Sequence, residues 1–550
     1  MKFVLAAGAA LALASPALSQ PADLIIWGGP IYTNAAPAKA EAVVVQDGRI
    51  VFVGSRADAG TRLGKRTEVI DLKGAALFPG FTDAHAHLRG IGERELSLNL
   101  EGSKSAAEAV ARVKAYLAGR PADAPGDSKS PIWGRGWIET GWPEGRFLEK
   151  GDLDPIAPDR PVLLVRADGH ALVANSAALK AAGIDEATPA PAGGEILKGK
   201  DGKPTGLLVD NAMGLVRKLR LPPTEADRRA AFAAAFKVEA AYGWTGVHSM
   251  SVAWPDVGLL ETLNAEGKTP LRVYNAVDAG EAAPLFAGGP RNTGDERIVT
   301  RAVKLYEDGA LGSRGAALFE PYADAPGATG LVRTPPERMR NAMAKAKAVG
   351  IQVSAHAIGD RGNASVLDLM AEQRPDGLRW RIEHAQIVRP ADIPRFRQLG
   401  VIASMQPSHA IGDLHFAPAR LGDARLAGAY AWESFLKSGA VVVGGSDAPV
   451  ERGDPLIEFY AAVARKDLTG FSAPNWHPEE ALSRAEALKL FTSAPAYARF
   501  AEDELGSIEI GKRADLSGFS VDLMTAPEAE IPKGRAVLTV VDGKVVHRRP

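Results

Sequence analysis

Phe81-Thr82-Asp83-Ala84-His85-Ala86-His87-Leu88 is the stretch whose reading decides the fold. It follows the apolar run Ala75-Ala76-Leu77-Phe78 and the break Pro79-Gly80. Side chains alternate along a strand, so Asp83, His85 and His87 share one face and Ala84 and Ala86 the other. Two imidazoles on one face can reach a single cation, and the small residues behind them permit close packing. An isolated triplet of this kind also suits a pair of surface histidines. Its meaning turns on further ligands downstream.

Four later positions supply candidates. Val303-Lys304-Leu305-Tyr306 sets a lysine inside an apolar strand, where an ammonium is costly unless paired or chemically altered. His356 ends the run Val353-Ser354-Ala355, His384 ends Arg381-Ile382-Glu383, and Asp447 follows Val441-Val442-Val443-Gly444-Gly445-Ser446. A lone strand-end histidine or aspartate is unremarkable, being often a structural hydrogen-bonder or a helix cap. The joint pattern, HxH and then Lys, His, His and Asp at successive strand ends, is what points to a metal centre.

Outward from that stretch, short apolar runs alternate with helical patterns, the signature of a parallel α/β fold. The expected strands cover 81–87, 162–166, 245–249, 302–306, 352–356, 380–384, 401–405 and 441–445. Eight such strands predict a distorted (β/α)8 TIM barrel over 81–500, with its chemistry at the C-terminal strand ends. The long interval after the first strand predicts an inserted subdomain within about 100–240. Asp47-Gly48 and Asp542-Gly543 each join two β-like runs, so both ends carry the same hairpin pattern. They are expected to form one small β-domain from 20–80 and 501–550.

Composition narrows the function. The chain has 550 residues, 46% hydrophobic and 24% charged, with net charge −1 from 65 basic and 66 acidic residues. That is the make-up of a globular enzyme with no basic excess for nucleic acid or anionic membranes. There is no cysteine, which excludes disulfides, thiolate metal sites and cysteine nucleophiles. Residues 1–19 read as a signal peptide: Met1-Lys2, an apolar run from Phe3 to Ala14, then Ala17 and Ser19 before the cut. The run is too short to span a bilayer comfortably, so an exported, periplasmic protein is expected, with no membrane insertion after cleavage.

Gly80 to His87, Asp168-Gly169-His170 with Asn175-Ser176, and Lys304 to Arg314 together form a specific set of motifs. His356-Ala357-Ile358-Gly359-Asp360, Ile382-Glu383-His384-Ala385-Gln386, Gln406-Pro407-Ser408-His409 and Gly445-Ser446-Asp447-Ala448-Pro449 extend it. By these motifs the chain resembles the amidohydrolase superfamily, in its YtcJ-like, amidohydrolase-3 branch that includes N-substituted formamide deformylases. The resemblance implies one or two divalent metals, most often zinc, in a barrel beside a β-sandwich. It implies His85, His87 and Asp447 on the first metal, His356 and His384 on the second, and Lys304 bridging as a carboxylated lysine. Asp447 would also serve as the catalytic acid and base. His170, Arg314 and His409 resemble positions that contact substrate. Asp83 is expected to orient a histidine, and Trp133, Trp137 and Trp142 to pack in a core or wall a pocket. His248, His415, His477 and His547 read as structural.

The implied activity is hydrolysis of a C–N bond in a small molecule by metal-activated hydroxide. A metal-dependent esterase, lactonase or dipeptidase is the alternative enzyme, and a non-catalytic periplasmic binding protein the alternative class. A small-molecule substrate is expected and no nucleic acid; homo-oligomerisation stays open. The substrate and the number of metal ions lie beyond the motifs.

Overall fold

The computed structural model describes residues 22–119, 131–139, 142–166, 171–191, 194–220 and 222–549. The expected leader, 1–19, and His170 lie outside the described residues.

Eight parallel strands form a nearly closed barrel: β1 (Phe81–Ala86), β2 (Trp244–Val252), β3 (Arg272–Asp278), β4 (Ile298–Tyr306), β5 (Gln352–Ala357), β6 (Arg381–His384), β7 (Ile402–Met405) and β8 (Val442–Gly444). Each is hydrogen-bonded to the next in chain order. At the seam the Asp447 amide donates to the His85 carbonyl at 2.7 Å, and the His87 amide to the Ala448 carbonyl at 2.8 Å. The approach needs glycine at 445, where a Cβ would stand 2.4 Å from the His85 nitrogen. Helices Pro336–Ala348 and Asp360–Gln373 flank β5. Met339, Met343 and Ala346 of the former, spaced as one helical face, enter the main core.

One expected barrel strand is placed elsewhere. Val162–Arg166 is a strand, but it belongs to a six-stranded sheet running from Leu98–Asn99 to Pro204–Asp210 between β1 and β2. The strand that completes the barrel is Arg272–Asp278. Its polar Arg272, Tyr274 and Asn275 are buried and mask the apolar signal. In the inserted sheet Trp137 packs on Trp142, ring centres 6.2 Å apart, and both belong to the insertion's own core. Trp133 packs at the edge of the neighbouring cluster.

The two chain ends share an eight-stranded sheet, joined where Leu516–Phe519 runs antiparallel to Ala76–Pro79. Asp47-Gly48 and Asp542-Gly543 both have positive φ at each residue, the geometry of type I′ hairpins. Strand Leu24–Tyr32 bends at Gly28-Gly29, so that its first half pairs with Glu68–Asp71 and its end with Ala76–Pro79. The sheet thereby folds over a core that includes Ile26, Val43, Leu77, Leu516 and Val540.

The joint between this sheet and the barrel is polar. Arg272 at the start of β3 is buried and grips Asp515 through Nε at 2.6 Å and Nη2 at 3.0 Å. Asp542 contacts Arg272, Arg297 and Arg513. The Ser517 hydroxyl donates to the Gly243 carbonyl at 2.7 Å and accepts from the Phe81 amide at 2.9 Å. The Ala514-Asp515-Leu516-Ser517 segment therefore ties β1 and β3 to the terminal sheet.

Candidate functional site

The barrel's C-terminal rim brings together seven of the nine candidate residues. His85 and His87 sit at the end of β1, Lys304 on β4, His356 on β5, His384 closing β6, His409 in the helix Pro407–Asp413 after β7, and Asp447 just past β8. Asp447 Oδ1 lies 3.1 Å from His87 Nε2 and 3.5 Å from His85 Nε2. Lys304 Nζ is 3.3 Å from His85 Nε2. The His384 ring centre stands 4.8 Å from that of His85 and 4.5 Å from that of His356. His384 and Asp447 adopt left-handed backbone, with φ of 76° and 59°. Such conformations are unfavourable for residues with side chains and concentrate at functional sites.

The residues fit a divalent cation. His85, His384 and Asp447 present ligand atoms that all lie within 4.8 Å of one another. Each imidazole turns one nitrogen outward to an oxygen. His85 Nδ1 is 2.6 Å from Glu383, His87 Nδ1 3.2 Å from the Met250 carbonyl, and His384 Nδ1 2.8 Å from Gln406. His356 Nε2 faces Asp308 at 3.4 Å. The other nitrogen of the first three rings is left for a ligand, the arrangement that fixes metal-binding histidines, and His356 Nε2 itself makes no hydrogen bond. Asp447 Oδ1 is buried outside hydrogen-bonding geometry. With no thiolate in the chain, the donors are the nitrogen and carboxylate set that suits zinc and similar ions.

Electrostatics keep these donors available. Burial, reinforced by the Lys304 ammonium, pulls His85 down to about 4. Burial and the neighbouring His356 hold His384 well below its ordinary value. Both imidazoles are therefore neutral with a lone pair to give. Burial alone would raise Asp447, but His87 and His85 outweigh it and hold the carboxylate well below its usual range. Burial lowers Lys304 to about 8 against the opposing pull of Glu383 and Asp447.

Asp83 does not orient an imidazole. Its Oδ1 accepts from the backbone amides of His85 at 3.1 Å and Ser446 at 3.0 Å, and its Oδ2 from the Ser446 hydroxyl at 2.5 Å. It clamps the barrel seam and so positions Asp447; burial pushes its own carboxyl up to about 7. The residue that holds His85 is Glu383, wholly buried and itself paired with Arg381 at 2.8 Å. Arg381 in turn meets His248 Nδ1 at 3.0 Å, which gives that histidine its structural place. The signal for Glu383 was in the sequence: a charged pair, Arg381 and Glu383, on one face of a short buried strand. Replacing Glu383 by Gln is expected to weaken metal binding about 10- to 100-fold. Chelator competition checks this, with an unchanged circular dichroism spectrum of the metal-free protein showing that the fold is intact even as the thermal midpoint falls, because Arg381 loses its buried partner.

The site opens into a cavity of about 340 Å3 whose wall includes His87, Lys304, His356, His384, His409 and Asp447. Gln386 Nε2 lies 2.8 Å from His409 Nδ1, leaving His409 Nε2 buried without a partner. Tyr306, Gln386, Asp413 and Glu451 also line it; the first two lie inside quoted motifs without a role assigned, and the last two lie in none. Arg314 is not part of this wall. It is half-exposed, and its guanidinium is held by Asp324 at 3.1 and 3.0 Å. His415 and His477 pair with Asp467 and Glu479, and His547 lies on the terminal sheet.

Residues 68–547 match the family described as the amidohydrolase family. The chain is 36% identical over 538 residues to the YtcJ protein of Bacillus subtilis (strain 168), covering 95% of this chain and 99% of that one. It is 29% identical over 552 residues to the N-substituted formamide deformylase of Arthrobacter pascens, covering 97% and 99%. The crystal structure of an uncharacterized metal-dependent hydrolase from Pyrococcus horikoshii OT3 superposes with a TM-score of 0.76 at 28% identity, covering 92% of this chain and 99% of that one.

Proposed function

This chain belongs to the amidohydrolase family and superposes on a metal-dependent hydrolase, and on that premise we propose that it hydrolyses a carbon–nitrogen bond of a small N-acyl or cyclic amide. The observation that carries the reading is the convergence of inward-facing histidine nitrogens, Asp447 and Lys304 on one cavity at the barrel rim. One or two divalent ions, zinc by the resemblance, would be held by His85, His87 and Asp447 and by His356 and His384. When bound, such ions supply Lewis acidity toward water and toward the scissile carbonyl.

The chain's own groups manage the proton and the pose. Asp447, kept ionised by its neighbouring histidines, takes a proton from the attacking water and returns it to the leaving nitrogen. His409 Nε2, free because Gln386 engages Nδ1, offers a hydrogen-bonding point to the substrate. Lys304 is buried with its amine against the ligand cluster. Loss of one proton from its ammonium gives the neutral amine. Addition of that amine to carbon dioxide, with loss of a second proton, would replace a buried cation by a carbamate anion whose oxygens could serve as ligands. The mature chain is further proposed to begin at Gln20 outside the cytoplasm, which N-terminal sequencing of the exported product tests.

The test of function is metal analysis of the mature protein together with assays of N-formyl, N-acyl, lactam and ester compounds. The deformylase relative makes N-formyl compounds the first class to try. Bound metal with turnover of an amide-type class is expected. Bound metal without turnover of any compound would favour a binding protein, and turnover of esters alone would remove the C–N assignment. For Lys304→Ala, loss of metal that short carboxylates partly restore is expected. An intact mass lacking the added carbon dioxide in the metal-loaded wild type would remove the carbamate.

A further inference from the structure

We propose that the outer end of the cavity is a cation subsite, in which Asp413 and Glu451 take a protonated nitrogen carried by the substrate away from its scissile bond. The inference rests on the hydrolase reading for which bond is cut, but on separate residues for what the substrate carries.

Asp413 ends the helix Pro407–Asp413, and Glu451 lies in the turn after Asp447; both line the cavity that holds the candidate ligands. They are its charged residues outside the ligand cluster, and both are acidic. Among the described residues the wall contains no arginine. Its one lysine, Lys304, is committed to the ligand cluster at 3.3 Å from His85. Asp413 has one oxygen occupied by the Tyr430 hydroxyl and, among the described residues, no lysine or arginine paired with it. Among the described residues none donates a hydrogen bond to the Glu451 carboxylate, His409 Nε2 standing off at 3.9 Å. The neighbouring Arg94 is spent on the backbone carbonyls of Glu451 and Arg452, at 2.9 and 3.1 Å, and on Glu95.

A second observation points to a ligand here. His409 is buried, its ring stacked with that of His384 at 5.9 Å, and its Nε2 has no hydrogen-bond partner. That nitrogen is 3.6 Å from Asp447 Oδ2 and 3.9 Å from Glu451 Oε1, so it spans from the ligand cluster to the acidic end. A substrate reaching from Asp447 past His409 meets Glu451 and Asp413 next. Burial pushes both carboxyls above their ordinary range, with His409 the leading opposing influence on each, as expected of acids that await a cation. Leu311, Ile358 and Phe416 supply apolar wall to the same cavity. The subsite therefore suits a compound with a hydrocarbon spacer and a terminal ammonium or amidinium, and repels one ending in carboxylate.

The test uses three N-formyl alkyl compounds of equal length, ending in ammonium, methyl or carboxylate, with the metal-loaded mature protein. Calorimetry gives their affinities and product assay gives turnover. The ammonium compound is expected to bind about tenfold more tightly than the methyl compound, as for one hydrogen-bonded charge. The carboxylate compound should bind least. Asp413→Asn and Glu451→Gln should each narrow the spread, and the double variant should level it. Glu451→Gln, at a half-exposed turn, serves if the Asp413 variant fails to fold. A spread unchanged in the variants, equal affinities in the wild type, preference for carboxylate, or no binding of the ammonium compound would each overturn the subsite. The expected order of binding without turnover of any compound would leave the subsite standing and count against the hydrolase reading.

Discussion

Asp447→Asn is expected to lower kcat by about 10²- to 10⁴-fold, the span usual for loss of a positioned acid and base. The substitution keeps the size of the side chain and removes its charge and proton-accepting oxygen. In the folded chain that oxygen, Oδ1, sits 3.1 Å from His87 and 3.5 Å from His85, buried and without a hydrogen bond. Because the same residue is a candidate ligand, metal content must be measured on the sample that is assayed. Retained metal with lost turnover supports the proton role. Turnover falling in proportion to metal would show that the carboxylate acts by holding the ion. Activity within tenfold of the wild type would remove the mechanism.

Asp515→Ala is expected to destabilise the protein by about 3–5 kcal/mol, the cost of stripping one partner from a buried ion pair. Arg272 is 2% exposed and would keep its charge in a site where only Asp542 remains to answer it. Chemical denaturation at neutral pH reads the loss; a change below about 1 kcal/mol would mean that water or Asp542 fully replaces the pair. Asp542 adds a pH dependence. Burial alone would raise its carboxyl, but Arg272 and Arg297 outweigh that and hold it below its ordinary value. Its contribution is fully present above the unfolded carboxyl value of about 3.9 and fades as pH falls through the lower folded value. Asp542→Asn should therefore flatten the acid limb of the stability profile as well as lower the plateau.

The parts of this molecule that were legible in sequence share one property: their signal is local. HxH after an apolar run, a lysine inside a strand, and Asp-Gly between β-like runs each carry their meaning within a few residues. The barrel could be counted from such runs, but membership could not. Val162–Arg166 and Arg272–Asp278 are both short strands, and only the folded chain assigns the first to the inserted sheet and the second to the barrel. The roles of Asp83 and Glu383 were hidden for a related reason. Asp83 meets Ser446 and Glu383 meets His85 across separations of 363 and 298 residues. His384 was flagged by its place at a strand end, yet strict alternation would set it opposite Glu383. Its positive φ is what turns it into the cavity. Asp413 and Glu451 belong to no motif, because what they bind is a property of the cavity and not of the fold.

The seam between β1 and β8 has a consequence for how the protein acquires its metal. His85 comes early in the chain and Asp447 late, and they meet only when Gly445 packs against the His85 backbone. A partly made or partly folded chain thus holds scattered histidines and no chelating pocket. Ligands so far apart in sequence make loading a late event coupled to ring closure. An ion captured at that stage would be drawn from the compartment where the last strand docks, so the place of folding would bear on which metal is loaded.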